Sequence, residues 1–352
     1  MNSIEIRVRY PYKGAQMVIF SELNWEEPIH PVEVNEEKHL TLFRVETEKT
    51  FLYYKPCLIL DDQRHFCRGA NYLAIMAADE YEIFPHFFEK SVGTITDIMT
   101  FGEGEAARSV RIYLPPGYEE NTLKRYPVCY MHDGHNLFFP EEAFSGQTWE
   151  VTRTLTLLDN MNVIDPVIVV AIYPKDRMHE YTHPGYQDYG KFIVEVIKPQ
   201  VDEHFRTLTE PRFTAVMGSS LGGVVSLYMA WEYPQVFGKA ACLSSTFTWK
   251  DDLMTRIRDE DKRDLKIYMD SGWPGDNFEV SRAMFDLLQR QGYEVNQDVM
   301  YLAFPEAAHG ENDWATRIHI PFQFLFARYA ENDIRRLRAG KQPAKNPQSV
   351  SI

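Results

Sequence analysis

The sequence lacks the features that would assign it to a membrane, to a secretory pathway or to a disulfide framework. No apolar run is long enough to span a bilayer, and the first residues, MNSIEIRVRYPYKG, contain no apolar stretch of the secretory type. Cysteine is scarce, and the spacing of Cys57 and Cys67 does not require that they pair, while Cys129 and Cys242 sit in apolar runs. A reduced, cytoplasmic setting is therefore the simplest interpretation.

Positive charge is also under-represented. The chain has 37 Lys and Arg against 51 Asp and Glu, which gives a formal net charge of −14. Phosphate backbones and anionic lipid surfaces repel a protein of this sign. Nucleic acid and membranes are therefore not expected partners, and the charge leaves the oligomeric state open.

The 352 residues contain enough apolar surface for a large core, since 44% of them are hydrophobic. Residues 1–95 carry short alternating runs such as IEIRVRY and HLTLFRVE between polar turns, which predicts an all-β, sandwich-like N-terminal domain. Residues 96–107 are predicted to form a connector. Residues 337–352 are polar and basic, which predicts a disordered tail.

Residues 108–336 show a different pattern, in which apolar strand-like runs alternate with helical segments. The runs include YPVCYMHDG, VIVVAIYP and FTAVMGSS, and the helical segments include LGGVVSLYMAWEYP and VSRAMFDLLQRQG. Such alternation is typical of a mostly parallel sheet that is covered by helices on both faces. We therefore predict an α/β domain over this range.

The motif Gly218-Ser219-Ser220-Leu221-Gly222 matches G-x-S-x-G and lies between a predicted strand and a predicted helix. This context is typical of the nucleophile elbow of the α/β-hydrolase fold, in which small neighbours allow a strained turn. It predicts that fold, with Ser220 as a nucleophile at a helix N-terminus. A glycine-rich helix start with a serine cap is the alternative explanation.

A serine hydroxyl needs a base, and the base needs an orienting acid; in this fold both follow the serine in the chain. His309 lies in the loop FPEAAHGENDW after the last strand-like run, whereas His319 lies inside a helical segment. His309 is therefore the preferred base. For the acid, the loop DSGWPGDNFE offers Asp276, Asp270 and Glu279; we prefer Asp276, which lies deeper in the loop, and Asp270 stays open.

Acyl transfer also needs backbone N–H groups that point at the developing oxyanion. The first is expected from Leu221, and the second from the loop after YPVCYM, where His135 is preferred and Gly134 is the second choice. His132, Asp133 and His135 also suggest metal ligands, but no further ligand set is evident and a zinc site needs three or four. We expect no metal and no cofactor, and we expect His132 and Asp133 to brace the loop.

Four segments resemble the putative esterase family of α/β-hydrolases: HDGHNLF, FRTLTEPRFTAVMGSSLGGVVSLYMAWEYPQVFG, ACLSSTFTW and AHGENDWATR. The family includes enterochelin esterase-like proteins, feruloyl and acetyl xylan esterases of carbohydrate esterase family one, S-formylglutathione hydrolase and the antigen 85 mycolyltransferases. The resemblance covers roughly residues 105–330. It implies a serine esterase with the catalytic residues Ser220, His309 and Asp276 and the oxyanion donors Leu221 and His135.

The resemblance also implies that the segment with Arg177, Glu180 and Tyr181 borders the pocket. Trp149, Trp273 and Trp314 lie in predicted loops near the catalytic elements, where they either line the pocket or pack their loops. In the N-terminal region, Trp25, Tyr53 and Tyr54 form either a sugar platform or part of the core.

Three functions stay open at this point. The favoured one is hydrolysis of a small-molecule or glycan-linked ester. The second is acyl transfer by the same triad, in which a bound alcohol replaces water. The third is a binding module without catalysis.

Overall fold

The computed structural model of the protein describes residues 2–11, 14, 16–75 and 82–328. The predicted tail over 337–352 lies outside these residues. Within the described ranges, no helix is both long enough and apolar enough to cross a membrane. All four cysteines fall inside them, and each is buried with a free thiol.

The N-terminal region forms two sheets that share one core, as the alternating pattern predicts. One sheet has the strand order β4-β5-β1-β9, and the other has β3-β2-β6-β7 with β8 paired to β6. Alternate residues of β1 (Ile4, Ile6 and Val8) are buried against the second sheet. The strands are β1 (Asn2–Arg9), β2 (Gln16–Ser21), β3 (Asn24–Ile29), β4 (Glu33–Asn35), β5 (Leu40–Thr47), β6 (Phe51–Leu60), β7 (Gln63–Phe66), β8 (Tyr72–Ile75) and β9 (Glu82–Ile83).

A third, nine-stranded sheet follows, with the order β10-β12-β14-β13-β15-β16-β17-β18 and β11 paired to β12. Pairing is parallel from β14 to β18 and antiparallel where β12 meets its neighbours. The strands are β10 (Thr94–Ile95), β11 (Met99–Phe101), β12 (Arg108–Leu114), β13 (Val128–Met131), β14 (Ile168–Ile172), β15 (Thr214–Ser219), β16 (Lys239–Leu243), β17 (Lys266–Trp273) and β18 (Val299–Pro305).

Helices cover both faces of this sheet, which confirms the predicted α/β class. Side chains alternate between the faces: Val128 and Tyr130 of β13 join one core, while Cys129 and Met131 join the other. Helices α3 to α7 lie on the first face, and α1, α8 and α9 on the second. The helices are α1 (Val151–Asn160), α2 (Arg177–Glu180), α3 (Gly185–Phe192), α4 (Lys198–His204), α5 (Leu221–Glu232), α6 (Leu253–Asp259), α7 (Phe278–Arg290), α8 (Glu311–Arg317) and α9 (His319–Phe326).

Two short strands lie at the predicted connector over residues 96–107. Strand β10 ends just before it and β11 lies inside it, and both pair with β12 of the large sheet. They are only two and three residues long, so they leave no periodic pattern in the sequence. The division of the chain into domains at residues 95 and 107 stays a prediction.

Glu120 joins the N-terminal region to the large sheet. Its carboxylate accepts hydrogen bonds from the backbone N–H groups of Phe87, Phe88 and Glu89, at 2.6 to 2.8 Å. The hydroxyl of Tyr10, at the end of β1, also donates to it, at 2.8 Å. One carboxylate therefore connects β1, the segment before β10 and the turn after β12.

Candidate active site

Ser220 lies at the sharp turn between β15 and α5. Its backbone has φ 55° and ψ −122°, a conformation that strains a residue other than glycine. A Cβ at Gly218 would lie 2.5 Å from the backbone of Gly222, so the turn requires glycine there. The N–H of Ser220 donates to the carbonyl of Leu243, at 2.9 Å, which anchors the turn to β16. Ser220 is partly exposed at the carboxyl edge of the sheet.

His309 lies in the loop after β18, at the same edge of the sheet. Its Nδ1 is 2.5 Å from Oδ1 of Asp276, and its side chain is 37% exposed. An Nδ1–H that donates to a carboxylate leaves Nε2 of the neutral ring as an acceptor. Among the described residues, the His309 ring has Asp276 and Asn277 as its hydrogen-bond partners, and no hydrogen bond joins it to Ser220 Oγ. In enzymes without bound substrate such contacts are often long and tighten when substrate binds.

Asp276 is 1% exposed and lies in the loop after β17. Burial raises its pKa, but hydrogen bonds from His309, from Ser244 Oγ and from the Gly272 N–H outweigh this effect and hold the pKa below its usual value. The carboxyl group is therefore ionised at neutral pH. Of the acids considered from the sequence, Asp276 is the one that contacts His309.

Asp270 and Glu279 lie elsewhere. Asp270 is fully buried within β17, where Oδ2 accepts a hydrogen bond from the Tyr268 hydroxyl, at 3.0 Å, and Oδ1 is 3.2 Å from Arg317. Burial raises the pKa of Asp270 to about 6, although the Arg317 charge opposes this. Glu279 is exposed in the first turn of α7.

The expected oxyanion loop is braced from two sides. Asp133 has φ 54°, and its carboxylate accepts two hydrogen bonds from Arg177, at 2.8 and 2.9 Å. The Asp133 N–H donates to the Tyr181 hydroxyl, at 3.1 Å. Gly134 is packed so tightly that a Cβ would lie 2.6 Å from the carbonyl carbon of Ala171.

The two expected oxyanion donors are free of competing acceptors. Within the described ranges, no hydrogen bond uses the backbone N–H of Leu221 or of His135. Leu221 is the first residue of α5, where a helix leaves its N–H groups unsatisfied. Both groups are thus available to a developing negative charge.

His132 is enclosed beneath this loop. Its Nδ1 is 2.9 Å from the Tyr189 hydroxyl, and burial lowers the pKa of the ring to about 3, with a further contribution from Arg177. The ring is therefore neutral and braces the loop. Across the described part of the chain, no three His, Cys, Asp or Glu side chains are grouped to hold a metal ion.

The five expected pocket residues separate into two groups. Arg177 and Trp273 reach solvent, with 37% and 49% exposure. Trp149 and Tyr181 are fully buried, and Trp314 is 4% exposed. Trp149 packs against Trp314, at 5.5 Å between ring centroids, as the loop-packing alternative has it, and Tyr181 packs under the Asp133 turn. A contribution of these three side chains to the pocket stays a prediction.

The aromatic candidates of the N-terminal region also separate. Tyr54 is fully buried in the shared core of the two sheets. Trp25 and Tyr53 are 45% and 44% exposed. Tyr54 therefore contributes to packing and not to a surface platform.

A cavity of about 620 Å³ lies between residues 176–183 and residues 250–252, and its lining includes neither Ser220 nor His309 nor Asp276. The Thr246 N–H donates to the Ser220 carbonyl, at 3.4 Å, and Lys250, four residues on, accepts a hydrogen bond from the His183 N–H, at 2.8 Å. The lining is polar and carries both signs of charge. It consists of Asp176, Met178, His179, Thr182, His183, Lys250, Asp251 and Asp252.

Sequence reasoning missed Ser244 and Arg317, which both contact Asp276. Ser244 follows β16 in ACLSST. A polar residue directly after a buried strand, at the edge of the sheet that carries the nucleophile, is a position from which a role in the site could have been predicted. Arg317 lies in α8 and carries no comparable signal, because a single arginine in a polar helical turn is ordinary.

The putative esterase family model matches residues 104–323, which is well over half of the chain. Two curated bacterial proteins are similar. The uncharacterized protein YbbA of Bacillus subtilis is 24% identical over 158 residues, or 41% of this chain and 59% of that protein. An endo-1,4-beta-xylanase/feruloyl esterase of Xylanibacter ruminicola is 24% identical over 191 residues, or 51% of this chain and 25% of that protein.

Solved structures share the fold. The ferric enterobactin esterase of Salmonella typhimurium has a TM-score of 0.55 and 15% identity, and covers 92% of this chain and 93% of its own. The ferulic acid esterase AmCE1/Fae1A of Anaeromyces mucronatus has a TM-score of 0.51 and 20% identity, over 69% of this chain and 92% of its own. These likenesses confirm the α/β-hydrolase fold, and the first extends through the N-terminal sheets.

Proposed function

The chain belongs to the putative esterase family of carboxylic ester hydrolases, and we propose that it cleaves its ester through an acyl-enzyme on Ser220. The observation that carries this proposal is the contact of 2.5 Å between His309 Nδ1 and Asp276 Oδ1, at the sheet edge that holds the strained Ser220 turn. The pair lies after β17 and β18, and the turn follows β15 in the same parallel sheet.

In the first half of the reaction, Ser220 Oγ attacks the ester carbonyl carbon while His309 Nε2 accepts the hydroxyl proton. The carbonyl oxygen becomes an oxyanion, which the backbone N–H groups of Leu221 and His135 stabilise. The tetrahedral intermediate then expels the alcohol, which takes the proton from His309. Asp276 stays ionised and stabilises the imidazolium form of His309 throughout.

In the second half, water takes the place of the alcohol. His309 accepts a proton from the water as its oxygen attacks the acyl carbon. The second oxyanion collapses, the bond to Ser220 Oγ breaks, and the proton returns to Ser220. The products are a carboxylic acid and the free enzyme.

The proposed substrate is a small-molecule or glycan-linked ester, with its polar part in the cavity between residues 176–183 and 250–252. The lining offers hydrogen-bond donors and acceptors of both charge signs and one apolar side chain, Met178, which suits a polar group better than a long acyl chain. We also propose a reducing, cytoplasmic setting, because the buried thiols are unpaired.

The test measures kcat on a panel of p-nitrophenyl acyl esters and feruloyl esters. Ser220→Ala and His309→Ala should each lose at least about a thousandfold in kcat. His319→Ala is the matched control, because His319 is exposed in α9, and it should leave kcat unchanged.

Three results would contradict the proposal. A Ser220→Ala variant that keeps wild-type kcat, or wild-type protein that forms no adduct with a fluorophosphonate at Ser220, would exclude the acyl-enzyme. A product that is a new ester of an added alcohol, in place of the free acid, would make the protein a transferase.

A further inference from the structure

Ser244 connects the proposed acid to the helix after the base. Ser244 is fully buried, and its Oγ accepts hydrogen bonds from Trp314 Nε1, at 2.9 Å, and from Arg317 Nη2, at 2.7 Å. A hydroxyl has two lone pairs and one proton. Because both lone pairs are occupied, the proton must point to the remaining neighbour, Oδ2 of Asp276, at 2.5 Å.

The Ser244 hydrogen bond also determines which oxygen of Asp276 faces His309. Oδ2 accepts from Ser244 Oγ and from the Gly272 N–H, at 2.8 Å. Rotation of the carboxyl group would break both contacts at a side chain that is 1% exposed. Oδ1 is therefore held toward His309.

Arg317 is the cation of this cluster. It is 2% exposed, and its Nη2 lies 3.2 Å from Asp270 Oδ1 and 3.5 Å from Asp276 Oδ2. One guanidinium thus serves two buried carboxylates, which would repel each other without it. Asp270 in turn accepts hydrogen bonds from Tyr268 and from the Ser244 N–H, so it is held firmly enough to anchor the arginine.

We infer that Arg317 and Ser244 are positioning residues of the esterase reaction, which hold Asp276 with Oδ1 toward His309, and that Asp270 anchors Arg317. This inference rests on the proposed function. It assigns Asp270, the rival candidate for the acid, a separate role. Neither Arg317 nor Ser244 touches the reacting atoms, so their effect passes through Asp276.

The test is a pair of double-mutant cycles. Arg317→Met and Ser244→Ala are each made in the wild type and in Asp276→Asn, and kcat and KM are measured for one p-nitrophenyl ester. In the wild-type background, each substitution should lower kcat by about tenfold to a hundredfold and leave KM within about twofold. This loss is smaller than the loss of about 10⁴-fold that an Asp→Asn change causes in a triad. In Asp276→Asn each should lower kcat by less than about threefold, because the group through which it acts is gone.

Two further variants separate positioning from folding. Arg317→Lys keeps the charge and should recover part of the kcat lost in Arg317→Met. Arg256→Met is the matched control: Arg256 is ion-paired to Glu232 and Glu260 around α6, and its loss should leave kcat unchanged. All rates are referred to active sites titrated with a fluorophosphonate, and if Arg317→Met does not fold, the Ser244→Ala cycle decides.

Losses that multiply fully in the Asp276→Asn background would overturn the inference, as would a Ser244→Ala variant with wild-type kcat. Failure of the proposed function is distinguishable, because Ser220→Ala would then keep its activity. If Ser220→Ala is inactive and the cycles are additive, only the inference fails.

Discussion

The two regions of this molecule bury their polar groups differently. In the described residues before β10, the buried polar side chains are Ser21 and Thr47, and the rest of the shared core is apolar or aromatic. The large sheet instead collects buried polar side chains at the carboxyl ends of its strands. They include His132, Asp133, Ser219, Ser244, Ser245, Asp270, Ser271 and Asp276, with Arg317 from the helix above.

Burial of polar and charged groups costs free energy unless they are paired. A region that needs only stability therefore has little reason to keep them. Their concentration at one edge, with a raised pKa at Asp270 and a lowered one at Asp276, is the pattern that functional sites show. Buried polar side chains, more than the size of the core, therefore distinguish the large sheet from the N-terminal sheets.

Substitutions of two neighbouring tyrosines test whether the N-terminal sheets contribute only stability, and one of them has the largest expected effect of all the predictions. Tyr54→Ala removes a fully buried ring that stacks on Tyr72, at 5.7 Å between centroids, and should cost about 3–5 kcal/mol of stability. Its exposed neighbour gives the control, since Tyr53→Ala should change stability by less than about 0.5 kcal/mol. Denaturant titration measures both.

The same variants must leave the reaction unaffected if the N-terminal core only packs. We expect kcat per titrated active site to equal that of the wild type in Tyr54→Ala. A lower kcat would show that the N-terminal sheets contribute to catalysis, and the distinction between the two regions would then be wrong.

Substitution of Gly134 in the oxyanion loop tests the part of the comparison that concerns the large sheet. In Gly134→Ala the new Cβ would lie 2.6 Å from Ala171 backbone, so the loop must move and carry the His135 N–H out of place. Loss of one oxyanion donor lowers kcat by about a hundredfold. Steady-state kinetics measure this, and Gly275→Ala is the control, because its Cβ meets no heavy atom within 4 Å. Equal kcat in both variants would mean that the second donor lies outside this loop.

The contacts of Glu120 between the two regions give the smallest expected effect, and the size of this effect depends on pH. Partial burial raises the pKa of Glu120, but hydrogen bonds from Glu89, Phe87, Phe88 and Tyr10 hold it below its ordinary value of 4.5. A depressed carboxyl pKa stabilises the folded state above the unfolded pKa, and this stability is lost as pH falls through the folded pKa.

Glu120→Gln should therefore lose about 1 kcal/mol of stability at pH 7. The difference from wild type should shrink as pH falls below about 4.5. Thermal unfolding from pH 7 to pH 3 measures it, with Glu119→Gln as the exposed neighbouring control. A difference that is constant across this range would show that the charge of Glu120 does not hold the joint.

Much of the fold follows from local pattern. The runs of β13 and β14 are buried on both faces, and such uninterrupted apolar strands are typical of a parallel sheet between helices. The alternation in β1 is the local signature of a strand with one buried face. By contrast, β10 and β11 could not be predicted, because strands this short depend on pairing with β12 and carry no period of their own.

The choice between Asp270 and Asp276 as the orienting acid shows why the rest of the site could not be predicted from the sequence. Asp270 lies within β17 and Asp276 lies six residues later, in the loop that leads to α7. Their contacts distinguish the two aspartates. Arg317 of α8 forms an ion pair with Asp270, and His309, in the loop after β18, contacts Asp276. No local preference encodes either contact.

The two kinds of sheet and the turn that carries Ser220 are encoded locally, because periodicity, glycine spacing and backbone strain act between residues close in the chain. Long-range packing sets the contact of Asp276 with His309, the burial of Trp149 and Tyr181, and the contacts of Ser244 and Arg317 with the acid. These contacts join side chains from separate strands and helices, so their atoms come together only when those elements pack against one another.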